Sequence, residues 1–303
     1  MTPRSGRQLS IAAHGYEARI ASIGATLRML QHDGRDLVVP FDADEVRPNY
    51  RGATLAPWPN RVVDGTYAFA GVEHQLALTE PARSHALHGL VAWEEFADRV
   101  VEPDRVVLGA VIEPQSGYPF RVDVEVEFRL DERGLTQTIT GRNIGADAAP
   151  WGTGPHPYLT AGDGTVDDWT LALPASEVLT VTDDRLSPIA VHPVTDHPEW
   201  DFRTARAIGD VFIDHAFTSL AGADDVVEVR LTDAAGRGVA LSWGAECPWV
   251  QVHTADLPGE ASSRIGLAVE PMTCPPDAFN SGVDLVVLAP GESRAASWTF
   301  RAV

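Results

Sequence analysis

An all-β fold, built as a large antiparallel sandwich of two sheets, is the class this sequence predicts, and three observations carry that expectation. Residues 121–130 alternate strictly between charged and apolar side chains, the period of a half-buried strand. Short β-branched or aromatic runs separated by turn residues recur along the chain, which holds 26 glycines and 22 prolines. Convincing amphipathic helices are missing, as is the strand–helix alternation of a doubly wound fold.

The clearest strand sets Val122, Val124, Val126, Phe128 and Leu130 on one face, with Arg121, Asp123, Glu125, Glu127 and Arg129 on the other. Asp131, Glu132, Arg133 and Gly134 form a turn, and residues 135–141 continue in β-branched company, so an antiparallel hairpin is expected. Residues 226–232, 238–243, 249–254, 264–270 and 297–302 follow the same grammar and are expected as further strands. No low-complexity linker divides the 303 residues, and large sandwiches run beyond 200 residues, so residues 1–303 are expected to form one domain.

Charge narrows the partners. There are 43 acidic residues and 23 basic ones, every basic residue is arginine, and the formal net charge is -20. Such a surface repels phosphate backbones and anionic lipid, which disfavours nucleic acid and membrane as partners. The plain reading of the acidity is a well-solvated surface. Cys247 and Cys274 alone make no disulfide framework and are expected as reduced thiols. The first ten residues lead into no apolar run of signal-peptide length, and no stretch nears the roughly 18 apolar residues of a membrane helix. A cytoplasmic location is the default expectation.

Phosphate-cradling loops, nucleophile elbows and zinc-ligand spacings are missing. His85 and His88, three apart in a turn ending at Gly89, lack the further ligands a metal needs. Five clusters instead combine turn residues, aromatics and hydroxyl-gripping polar groups, the mixture from which sugar sites are made. They run over 57–67, 85–90, 152–159 and 213–217, and finally from Trp249 through Glu270 to Asn280. Each also has an ordinary explanation. Asn60, Asp64 and Gly65 are turn formers, Arg61 is an ion-pair candidate, His88 and His156 are candidates for packed histidines, and Asp214 for closing a turn. Glu270 is the hardest to dismiss, because a carboxylate at the end of the apolar run 265–269 needs a partner or a purpose.

Taken together and in this order, the clusters resemble the aldose 1-epimerase family, the galactose mutarotases, from about Asn60 to Asn280. The family's Asn-Arg turn followed by Gly and an aromatic falls on Asn60, Arg61, Gly65 and Tyr67, and its Leu-His-Gly on Leu87, His88 and Gly89. Its catalytic histidine matches His156, followed by Tyr158 and Leu159. Its Asp-His-x-Phe matches Asp214, His215 and Phe217; its strand glutamine matches Gln251, and its catalytic glutamate Glu270. The chain departs from many galactose mutarotases in flanking His156 with Pro155 and Pro157, and in the loop 271–277. It looks like a bacterial branch of less settled sugar preference, some members of which act on sulfonated glucose.

The resemblance implies a single large sandwich that interconverts the anomers of a free or modified hexose with no metal or organic cofactor. Glu270 would act as base on the anomeric hydroxyl and His156 as acid toward the ring oxygen. That chemistry expects an ionised Glu270 and a protonated His156, favoured by mutual attraction and by Asp214. Asn60, Arg61, His88, Asp214 and Gln251 would bind the sugar's hydroxyls, and Trp58, Trp93 or Trp249 would stack on its apolar face or simply pack in the core. A hexose-phosphate 1-epimerase would add cationic contacts, for which Arg28, Arg51 and Arg83 are candidates. A glycosidase pairing Asp214 with Glu270 leaves His156 without a role. A non-catalytic carbohydrate-binding protein is the third alternative. A monomer or homodimer is expected.

Overall fold

The computed structural model describes residues 2–257 and 259–303; Met1 and Pro258 lie outside the described residues. A nine-stranded antiparallel sheet carries the hairpin read from the sequence. Val122–Asp131 pairs with Gly134–Asn143, and the register closes at Asp131 opposite Gly134. The apolar face of this strand, Val122 to Leu130 in steps of two, is buried. Fully covering one such side chain contributes about 1.5–3 kcal/mol. On the opposite face Thr136 bonds Thr299 and Thr138 bonds Ser297 across the sheet, at 2.8 and 2.9 Å. These hydroxyl pairs join Gly134–Asn143 to Ser293–Ala302, which lies beside Gly238–Trp243.

A six-stranded antiparallel sheet runs in the order Tyr158–Leu159, Leu267–Met272, Trp249–His253, Asp214–Leu220, Ala175–Val181 and Pro188–Pro193. One hydrophobic cluster joins the two large sheets, with Phe128 and Trp298 from the first and Val250, Val252 and Phe217 from the second. A four-stranded sheet begins the chain, from Gln8–Ala13 to Arg35–Asp36, and two-stranded pieces complete the body. The only α-helix among the described residues is Ala278–Ser281.

Most expected strands fall within a few residues of their observed limits. The largest shifts are at 297–302, observed as Ser293–Ala302, and at 264–270, observed as Leu267–Met272. Arg264 has φ +56° and ends a turn, because its guanidinium is drawn to Asp167 and Asp256. Both cysteines are free and buried, and neither lines the pocket described below.

Period 2 and register decide what faces the pocket. Residues directly opposite in adjacent strands share a face, so two parallel rows arise on the six-stranded sheet. One row holds Glu270, Gln251 and Ala216. The other, two residues along the strands, holds Tyr158, Ala268, His253 and Asp214.

Candidate active site

A pocket of about 400 Å³ opens over these rows, within the usual range for small-molecule sites. From the sheet come Asp214, Gln251 and Glu270; loops and short strands bring Asn60, Arg61, His88 and His156. All seven residues singled out in the sequence therefore line one cavity.

The rim is built by a backbone that few residue types tolerate. Asn60 sits at φ +54° and His88 at +62°, left-handed positions where Asn and His are enriched. The Asn60 carbonyl accepts the His88 N–H at 2.8 Å, tying the two turns together. Gly89 follows at φ +74°, and a Cβ there would meet the Ala56 carbonyl oxygen at 2.1 Å. Gly89→Ala is thus expected to cost on the order of 2–4 kcal/mol through strain and backbone overlap. Calorimetry should record this as a loss of about 3–6 °C in Tm. An unchanged Tm would contradict this packing of the His88 turn.

Arg61 is held by a fork. Its Nε and Nη2 donate to the two oxygens of Glu80 at 2.7 and 3.0 Å, the bidentate geometry that fixes a guanidinium plane. Burial is the largest single influence and works against its charge, but the bonds to Glu80 together with the negative charges of Asp214, Glu80 and Glu270 raise its pKa. Arg83 shares Glu80 at 2.8 Å. Arg47, also in the wall, has no carboxylate partner within ion-pair distance among the described residues; it bonds Thr26 at 2.6 Å and the Ala92 carbonyl. Burial lowers its pKa to about 10.

His156 is fixed by its flanking prolines and by its own backbone. Its N–H donates to the Ala53 carbonyl at 3.0 Å, and its carbonyl accepts from Gly52 at 2.7 Å. Its ring stacks on Tyr158 and meets His88 edge to face, with centroids 5.4 and 4.9 Å away. His156 Nε2 lies 3.5 Å from Glu270 Oε1, and both side chains are nearly inaccessible. Gln251 Nε2 donates to Asp214 Oδ1 at 2.7 Å.

The expected charges of the central pair are not those of the sugar-free pocket. Burial pushes Glu270 well above the usual carboxyl range, and the like charge of Asp214 adds to the shift while Arg61 opposes it. Burial, then His253, lowers His156 to about 3. Their contact has salt-bridge length, yet burial opposes the charged form of each partner across 3.5 Å. Asp214, expected to favour the ionised state of the pair, disfavours it at Glu270. His88 is likewise driven well below its ordinary value, chiefly by burial and then by His156.

Seven buried polar atoms on the pocket's side chains lack a partner: Nδ1 of His88, His156 and His253, Gln251 Oε1, Glu270 Oε2, and Nε of Arg47 and Arg83. Such atoms are costly unless a ligand or water satisfies them. His88, His156 and Glu270 place potential ligand atoms within 4.8 Å of one another, one set able to grip a divalent cation. The positive charges of Arg61 and Arg47 bear on the same histidines and work against a cation there.

Of the stacking candidates, only Trp93 reaches the pocket; its ring is half exposed, with the Arg47 guanidinium 4.3 Å above it. Trp58 bonds the Ala86 carbonyl and packs on Phe279, and Trp249 is buried against Asp284. Among the arginines proposed for a phosphate, Arg83 lines the pocket, whereas Arg28 and Arg51 are committed to the carbonyls of Phe41 and Pro40. Tyr50, Glu80 and His253 also line the cavity and were not singled out. His253 had a signal, since strand alternation puts it on the face of Gln251. Tyr50 had none: it is held at φ +56° by an irregular turn.

Sheet order and pocket place the chain in the class of galactose mutarotase-like β-sandwich proteins. The family model for aldose 1-epimerase matches residues 7–301, and the chain belongs to that family. It is 39% identical over 289 residues to the uncharacterized protein YihR of Escherichia coli (strain K12), covering 95% of this chain and 91% of that protein. In structure it is similar to the GalM/aldose epimerase homologue from C. elegans, with a TM-score of 0.85, 22% identity and 98% of each chain covered. The galactose 1-epimerase of Lactobacillus acidophilus NCFM superposes with a TM-score of 0.80 at 18% identity, over 96% of this chain and 92% of that one. At these identities the superpositions speak for the fold.

Proposed function

We propose that this chain is a mutarotase that interconverts the α and β anomers of a free or modified hexose by acid–base ring opening. The observation that carries the reading is the buried His156–Glu270 pair, 3.5 Å apart, at the base of a pocket rich in unpartnered polar atoms. The Glu270 carboxylate takes the proton of the anomeric hydroxyl as the bond from C1 to the ring oxygen breaks and the aldehyde forms. His156 gives its proton to the departing ring oxygen. Rotation about C1–C2 presents the other face of the aldehyde, and the reverse transfers close the ring as the other anomer.

One proton suffices for the pair in either arrangement. Without sugar it rests on Glu270, beside a neutral imidazole. Sugar hydroxyls that donate hydrogen bonds to the Glu270 carboxylate favour the arrangement with the proton on His156. Asn60, Arg61, His88, Asp214 and Gln251 hold the ring hydroxyls. The Arg47 guanidinium in the wall, which has no carboxylate partner among the described residues and keeps Nε unbonded, supports a second reading, a hexose bearing a phosphate or sulfonate.

Polarimetry of freshly dissolved α-glucose, α-galactose, a hexose 6-phosphate and a sulfonated glucose tests both. Acceleration of a neutral sugar supports the first reading, acceleration of an anionic one alone the second. Acceleration of none, with sugar binding retained, points to a carbohydrate-binding protein.

A further inference from the structure

The histidine within the sheet's second row has no place in the acid–base scheme. His253 lines the pocket, on the same strand face as Gln251 and between Asp214 and Ala268 in register. Its cross-strand neighbour on that side, Ala268, is buried against Tyr158 and Ala255, while the His253 side chain keeps about a quarter of its surface exposed at the cavity. On the other side His253 Nδ1 lies 3.7 Å from Asp214 Oδ1, beyond hydrogen-bond length. That oxygen already accepts from Gln251 at 2.7 Å. Nδ1 is buried without a partner, and neither ring nitrogen forms a hydrogen bond among the described residues. A polar side chain kept in this state, aimed along a pocket wall, is a binding group awaiting its ligand.

Position says which part of the ligand it meets. The second row is two residues along the strands from Glu270, roughly 7 Å at the rise of a β-strand. A pyranose whose anomeric hydroxyl lies at Glu270 extends its opposite hydroxyls over that distance. We infer that His253, with Asp214 beside it, is a specificity-determining residue that hydrogen-bonds a sugar hydroxyl remote from the anomeric centre. The inference rests on the mutarotase reading of the pocket. His253 selects the sugar and takes no part in the proton transfers.

The test uses His253→Ala and His253→Gln with the full chain and a series of hexoses deoxygenated singly at positions 2, 3, 4 and 6. The expected result is a KM about fivefold to tenfold higher for His253→Ala on the parent hexose, the loss of one hydrogen bond, with kcat within about twofold. Partial rescue by His253→Gln is expected, along with one deoxy sugar on which wild type and His253→Ala no longer differ. Equal penalties on every sugar in the series, a fall in kcat at constant KM, or no effect on the parent hexose would each overturn the inference. If wild type accelerates no sugar, the mutarotase reading fails. The same series is then read by calorimetry as Kd, where the position-specific loss decides on His253 separately. Thermal melts of both variants guard against a folding defect.

Discussion

Glu270→Gln is expected to slow anomerisation by about a hundredfold to ten-thousandfold, the usual contribution of a positioned acid–base group. The amide keeps the shape of the side chain but cannot take the anomeric proton. It also removes a proton-linked cost. The folded pKa of Glu270 is raised, so its stabilising contribution is present below the unfolded pKa near 4.5 and is lost as pH rises through the folded value. At pH 7 the variant should therefore melt at or above the wild-type temperature, with the difference closing toward pH 4. NMR exchange between anomers measures the rate, and calorimetry at the two pH values measures the stability. A variant retaining the wild-type rate would remove Glu270 from the mechanism. A variant slowed but also strongly destabilised at pH 7 would instead make it a structural group.

Acidification is expected to weaken the fold long before ordinary carboxylates titrate. His88, His156 and His215 are buried, and burial depresses all three: His156 to about 3, His215 to about 4 and His88 well below its ordinary value. A depressed group contributes stability above its unfolded pKa, near 6.5, and loses it as pH falls toward the folded value. Each histidine costs roughly 1 kcal/mol per pH unit across that window, while Glu270, raised, offsets part of the loss. Between pH 7 and 5 the net loss is several kcal/mol, about 5–10 °C in Tm. His215→Gln, outside the pocket, should flatten the decline by its share. A melting temperature constant from pH 7 to 5 would be incompatible with neutral buried imidazoles at these positions.

Much of this molecule was legible in the sequence. The alternation of 122–130 specifies which face is buried without reference to any partner, and it survives into the structure residue by residue. The five clusters were legible as chemistry because each holds a polar group beside turn formers, and the pocket gathers them. Legibility failed where a feature depends on long-range pairing. Arg264 belongs to an apolar run by hydropathy, yet Asp167 and Asp256 take it out of the strand. Tyr50 reaches the pocket only through consecutive left-handed residues, Asn49 and Tyr50, that no periodicity announces. The effect of burial on Glu270 and His156 is hidden for the same reason: attraction between them follows from their identities, but the depth of burial that opposes their charges follows from the whole sheet.

The row arrangement on the six-stranded sheet also says how this protein can be altered. Glu270 and Gln251 stand in one row, His253, Asp214 and Ala268 in the next, two residues along the same strands. On the mutarotase reading, a saturation library restricted to His253, a pocket-lining member of the second row opposite buried Ala268, samples pocket shapes away from Glu270 while leaving the first row untouched. Laboratory evolution of the pocket can therefore begin from a single codon.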